Sequence, residues 1–148
     1  MKSGFLGVPL SCPLCDTPDG TPLWQDAFCR VILADEPDYP GFLRVIVKDH
    51  IKEMTNLPTA GQAALMRVVF AAEAALREVM QPDKINIASL GNVVPHLHWH
   101  VIARFDWDSH FPAPVWAAPV RPVNDGKIRQ VAERCQQVNR LIAQHLSS

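Results

Sequence analysis

Three of the six histidines stand within five residues, in His96-Leu97-His98-Trp99-His100. Apolar side chains alternate with the imidazoles. The run has the two-residue period of a β-strand, with histidines on one face and Leu97, Trp99 and Val101 on the other. A neutral imidazole, with an ordinary pKa of about 6.5, is a good nucleophile toward phosphorus near physiological pH. One ring nitrogen attacks while the other donates its proton to a fixed acceptor, which selects the tautomer. A second histidine two residues on, facing the same side, can hydrogen-bond a phosphate oxygen or assist the leaving group. Gly91-Asn92 is expected to bend the chain just before the run, where backbone N–H groups can stabilise developing charge.

Metal binding is the rival use of these residues. Alternate side chains on a regular strand are about 6.6–6.8 Å apart, which starts His96 and His100 roughly 13 Å from each other. Zn–N bonds of about 2.0–2.1 Å cannot draw both to one ion without bending the chain. The three histidines are therefore expected to have different tasks. Cys12 and Cys15 form a Cys-Pro-Leu-Cys pair, the spacing of half a tetrahedral zinc site. A thiol redox pair has the same spacing but places its first cysteine at a helix start, and Asp16-Thr17-Pro18-Asp19-Gly20 is a poor helix former. Cys29, in an apolar run, and Cys135, on an expected helix, read as ordinary buried thiols.

The elements around these residues follow from periodicity and breakers. Residues 16–22 read as a turn-rich loop. Residues 28–34 and 42–47 read as strands that pair antiparallel across a long loop, with His50 just past the second. Thr59 and Gln62 have capping-box spacing, and Leu65, Val68, Val69, Ala72, Leu76, Val79 and Met80 then form one helical stripe, stopped by Pro82. Residues 86–90 read as a short strand. Pro112, Pro114, Pro119 and Pro122 keep the next segment out of helix, and residues 125–146 read as a C-terminal helix. Trp107 and Trp116 are placed for either a base pocket or a dimer interface. His110 and His145 read as surface residues.

Composition bounds the function class. The chain has 148 residues, the length of one domain, with 48% hydrophobic and 20% charged residues. A formal net charge of −1 gives no electrostatic case for nucleic acid or membrane surfaces as partners. No apolar run approaches the roughly 20 residues that span a bilayer. The start, Met1 to Pro9, lacks the apolar stretch of a secretory signal, so a cytoplasmic location is expected.

These motifs together resemble the histidine-triad (HIT) nucleotide hydrolases and transferases. His96-Leu97-His98-Trp99-His100-Val101-Ile102 matches the His-φ-His-φ-His-φ-φ signature, where φ is an apolar residue. Val45 to Ile51 resembles the family's strand ending in Pro-Lys-x-His-Ile, and Asn86 through Val94 its segment leading into the triad. The resemblance covers about residues 12–110 and implies a single α+β domain over 1–148. That domain is an antiparallel β-sheet with one long central helix and a C-terminal helix, usually a homodimer. It implies hydrolysis or transfer at the α-phosphate of a dinucleoside polyphosphate or nucleoside phosphoramidate through a nucleotidyl-histidine, with no cofactor required for catalysis. The middle histidine, His98, is the implied nucleophile. His100 contacts phosphate or positions the leaving group, and Asn86, Gly91, Asn92 and Asp35 fall at nucleotide-binding positions. Some relatives hold a structural zinc, whose ligands would here be Cys12, Cys15, His50 and His96. Two departures are visible. The family's second strand begins Gly-His, its histidine bonding within the triad, whereas this chain has Gly41-Phe42. Val93 stands where many relatives carry Ser or Thr. These changes motivate an alternative, a zinc-stabilised nucleotide-binding module with little catalysis.

Overall fold

The computed structural model describes residues 11–147, so the reading of Met1 to Pro9 lies outside the described residues. Five strands form one antiparallel sheet in the order β1-β2-β3-β5-β4. They are β1 Thr21–Gln25, β2 Cys29–Leu33, β3 Phe42–Val47, β4 Lys84–Ala88 and β5 His98–Arg104. The expected hairpin forms as β2 and β3, in register from Cys29 opposite Val47 to Leu33 opposite Leu43. β1 occupies part of the stretch read as loop. Its Thr-Pro-Leu-Trp-Gln sequence has little alternation, and it sits at the sheet edge with a register irregularity between Pro22 and Trp24. Edge positions tolerate proline because one side of the strand carries no ladder bonds.

One sheet face packs on α2, Thr59–Met80. Val31, Leu43, Val45, Val47, Val101 and Ala103 meet Leu65, Val69, Ala72 and Leu76 in a continuous core. Burial of each such Val or Leu side chain contributes about 1.5–3 kcal/mol. The helix ends with Gln81 in the left-handed region, φ +51°, followed by Pro82. The expected capping box is not formed. The helix begins at Thr59 itself, Pro58 is its N-cap, and Gln62 Nε2 donates instead to the Leu57 carbonyl at 3.0 Å. Gly41 leads into β3 in a space where a Cβ would lie 2.5 Å from Met80 Sδ and 2.8 Å from Ala103 Cβ. Only glycine lets β3 begin this close to the core.

A one-turn helix, α1 Pro13–Asp16, does form after Cys12 despite the breakers that follow it. The C-terminal segment is interrupted where one helix was expected. α3 Asp125–Ala132 and α4 Val138–Ser147 flank a 3-10 turn over Glu133–Gln137, whose Arg134 donates to the Met80 carbonyl at the end of α2. The segment between β5 and α3 contains no helix, as its prolines require. Among the described residues no helix is long and apolar enough to cross a membrane.

Candidate functional site

The histidines lie on the sheet face turned away from α2. On β5 that face presents His98, His100, Ile102 and Arg104. The register sets Ile46 opposite His98, Arg44 opposite His100 and Phe42 opposite Ile102. His96 is not part of the regular strand, which begins at His98. The chain bends there, and the imidazoles divide between two environments.

His98 is buried, 7% exposed, and its Nδ1 lies 2.5 Å from the His96 carbonyl oxygen. A carbonyl only accepts, so Nδ1 carries the proton and Nε2 keeps a bare lone pair. Ser89 Oγ donates to the His98 carbonyl at 2.7 Å and fixes the strand start. The His98 and His100 rings meet edge to face with centroids 5.0 Å apart. Both line a cavity of about 440 Å³ with Asp19, Arg44, Asn92 and Trp116, a volume within the usual small-ligand range. Gly91, at φ +76°, and Val93, 93% exposed, line it as well. A second cavity of about 420 Å³, lined by Lys52, Ser89 and Gly91, also reaches His98.

His96 faces the other way. Its Nε2 lies 2.6 Å from the Val47 carbonyl, which assigns that proton and leaves Nδ1 bare. Nδ1 stands 3.4 Å from both Cys12 Sγ and Cys15 Sγ and 3.2 Å from His50 Nδ1, while Cys15 Sγ is 3.3 Å from His50 Nδ1. All four ligand atoms lie within 4.8 Å of one another. Zinc with N and S ligands at about 2.0–2.3 Å holds those atoms about 3.3–3.8 Å apart. The donor set therefore fits zinc, and the Val47 carbonyl supplies the outer hydrogen bond a metal-bound histidine commonly makes. His98 and His100 do not belong to this cluster, so the bend sets the zinc-fitting residues apart from the 440 Å³ cavity, while His96 and His98 both line the second.

Other expected site residues are dispersed. Gly91 and Asn92 stand at the cavity. Asn86 is on the same sheet face, opposite Ile102, but its side chain accepts from Arg104 Nη1 at 2.7 Å. Asp35 lines a separate cavity beside Ala132 and Cys135. Trp116 packs against His100, with centroids 5.0 Å apart, whereas Trp107 stacks on Phe105. His110 is half-buried rather than on the surface, bonded through Nδ1 to the Tyr39 hydroxyl. His145 lies 3.2 Å from Glu78. Cys29 and Cys135 are buried, and burial pushes their thiols up to about 12 and about 11.

Sequence reasoning passed over Arg44 and Asp19, an ion pair at 2.9 Å inside the cavity. It also passed over Arg104. The available signal was a charge on the apolar alternation, since Phe42-Arg44-Ile46 and His100-Ile102-Arg104 each place one arginine on the site face.

Burial, then His98 and Arg44, push His100 from 6.5 down to about 4. The native state then binds fewer protons than the unfolded chain between those values. Stability present above about pH 6.5 is lost as pH falls, by about 3 kcal/mol near pH 4. His100→Gln should flatten that part of the stability profile. An unchanged slope in urea unfolding midpoints from about pH 7 to about pH 4 contradicts this assignment.

Sheet, long helix and triad together define a histidine-triad protein. The HIT domain model matches residues 19–107, and the chain belongs to that family. It is similar to a histidine triad protein from Bradyrhizobium japonicum, at 30% identity and TM-score 0.67, covering 84% of this chain and 91% of that one. A histidine triad protein from Sinorhizobium meliloti is 33% identical at TM-score 0.64, covering 80% and 89%. A zinc-bound histidine triad family protein from Mycobacterium smegmatis shares the fold at 24% identity and TM-score 0.62, covering 93% and 96%. No curated protein matches the chain.

Proposed function

We propose that the protein is a nucleotide hydrolase or nucleotidyl transferase. It cleaves at the α-phosphate of a dinucleoside polyphosphate or nucleoside phosphoramidate through a nucleotide held covalently on His98. The observation that carries this reading is the Nδ1 hydrogen bond to the His96 carbonyl, which leaves Nε2 bare on a ring that lines the cavity. In the first step Nε2 bonds to the α-phosphorus as the bond to the leaving group breaks. In the second, water attacks phosphorus, its proton passes to solvent, and the P–N electron pair returns to Nε2. His100 donates to a phosphate oxygen. Gly91 and Asn92 line the same cavity, and in this reading their N–H groups stabilise the same charge. Asn86 acts through Arg104, and Asp35 is left out because it lines another cavity. The reading includes the family's homodimer, checked by sedimentation, and a cytoplasmic location.

In this reading zinc on Cys12, Cys15, His50 and His96 is structural and ties α1 to the end of β3. The zinc-bound mycobacterial relative is in keeping with that role. Metal analysis should find one ion per chain, lost in Cys15→Ser. Chelation should lower the Tm by roughly 5–10 °C in the wild type and leave the variant unmoved. A chain that stays metal-free after refolding with zinc contradicts the assignment.

Turnover of a nucleotide panel tests the activity itself. Release of nucleoside monophosphate, well above a His98→Ala control, is expected. Tight nucleotide binding with release no faster than that control would instead favour the non-catalytic module that Phe42 motivates.

A further inference from the structure

His100 is buried, and its Nδ1 has no hydrogen-bond partner among the described residues. Three rings surround it. Phe42 meets it edge-on at 5.5 Å between centroids, Trp116 at 5.0 Å and His98 at 5.0 Å. Phe42 has no acceptor, the Trp116 indole only donates, and the bare Nε2 of His98 is not within hydrogen-bond reach of His100 Nδ1. A proton on His100 Nδ1 would be a buried donor with nothing to receive it. The single proton of the neutral ring therefore belongs on Nε2. A doubly protonated ring would add a buried charge close to Arg44, the residue opposite it on β3. His100 can thus donate a hydrogen bond, but it has no route by which to gain and pass on a proton.

Arg44 is the second observation. Its guanidinium lies over the Phe42 ring, 5.4 Å from the centroid, and lines the cavity beside His100. Asp19 takes one N–H at 2.9 Å, and the guanidinium fork has further donors that suit a phosphate. One side chain, Phe42, both denies His100 a partner and supports a cation.

Resting on the nucleotidyl-transfer reading, we infer that the site selects substrates whose leaving group departs as an anion. That means a polyphosphate chain joined through a phosphoanhydride rather than the amine of a phosphoramidate. When His98 Nε2 bonds to the α-phosphorus of an anhydride, the P–O bond breaks and its electron pair stays on the bridging oxygen. That oxygen becomes a terminal phosphate oxygen, stabilised by Arg44 and needing no proton. Breaking a P–N bond puts the pair on nitrogen, which departs as an amine only if a proton reaches it from a general acid. His100, uncharged and without a relay, does not supply one. Arg44 and Phe42 are the residues that set this preference, Phe42 as a positioning residue.

The experiment compares kcat/KM of the wild-type protein for dinucleoside tetraphosphates and nucleoside 5′-phosphoramidates, each with adenine and guanine. General-acid assistance is worth about 10²–10⁴-fold, so the anhydride should lead by about 100-fold or more. Phe42→His gives Nδ1 a partner and should narrow that ratio about tenfold or more. Arg44→Gln should narrow it by a similar factor through loss of the anhydride rate. Because Phe42 is buried, thermal unfolding is checked first; if that variant fails to fold, the wild-type ratio and Arg44→Gln decide. His98-dependent cleavage of both substrates within about tenfold overturns the inference and leaves the nucleotidyl-transfer reading standing, as does a folded variant with the ratio unmoved. No His98-dependent cleavage of either substrate overturns both.

Discussion

Alanine at position 98 is expected to lower nucleotide turnover by about 10⁴-fold or more, because the group that forms the covalent bond is gone. His100→Ala should lose less, about 10²-fold, since it removes one hydrogen bond to phosphate and leaves the nucleophile. The asymmetry separates the present reading from one in which His96, His98 and His100 bind a common metal, where the losses would be comparable. His98 and His100 stand apart from the Cys12, Cys15, His50 and His96 cluster. Initial rates on the best substrate of the panel check this, with unfolding transitions confirming that each variant is folded. Turnover by His98→Ala within about tenfold of the wild type contradicts the mechanism.

Removing Arg104 should have the largest effect on stability. This arginine is 1% exposed and ends the strand that carries the triad. It bonds Asp108 through Nε at 2.9 Å and Nη2 at 3.1 Å, Asn86 Oδ1 at 2.7 Å and the Ala113 carbonyl at 2.8 Å. Asp108 in turn accepts from the N–H groups of Phe105, His110 and Phe111. Burial alone would raise the Asp108 carboxyl, but the Arg104 guanidinium and those N–H groups hold it below the ordinary carboxylate range. Arg104→Met leaves that carboxylate buried without its cation, at a cost of about 3–5 kcal/mol. The corresponding fall in Tm is roughly 10 °C or more. A change below about 1 kcal/mol in denaturant unfolding would show that the pair is dispensable. The same network anchors the loop that brings Trp116 to the cavity, so stability and site geometry share these bonds.

The parts legible in the sequence are those in which one chemical pattern and one structural period coincide. The apolar run Phe42–Val47 is buried on both faces and the helical stripe from Leu65 to Met80 on one, and both elements stand where those patterns put them. The histidine spacing pointed to the candidate site, and simple strand distances already separated His96 from His100. The bend before His98 then turns that separation into two environments. Less was readable where long-range packing decides. β1 has no alternation of its own and becomes a strand by pairing with β2. Thr59 looked like an N-cap, but Pro58 was already fixed in the extended conformation and took that place. Asn86 lies near the triad in sequence, yet its partner is Arg104, 18 residues away. The family resemblance puts Asp35 among the nucleotide-binding positions, and in the fold it lines a cavity with Ala132 and Cys135. The Asp19–Arg44 pair joins a turn to a strand 25 residues later, a contact that only the closed sheet creates.

In the proposed mechanism the reaction passes through a nucleotide bonded to His98 Nε2. A phosphorus–imidazole bond is labile in acid, so the reaction is stopped within milliseconds to seconds in alkaline denaturant and the intact protein is weighed by mass spectrometry. A species heavier by one nucleoside monophosphate less water is expected, mapped by peptide fragmentation to His98 and missing in His98→Ala. Product formation with no such species at any time sampled, or with the nucleotide on a different residue, would contradict it.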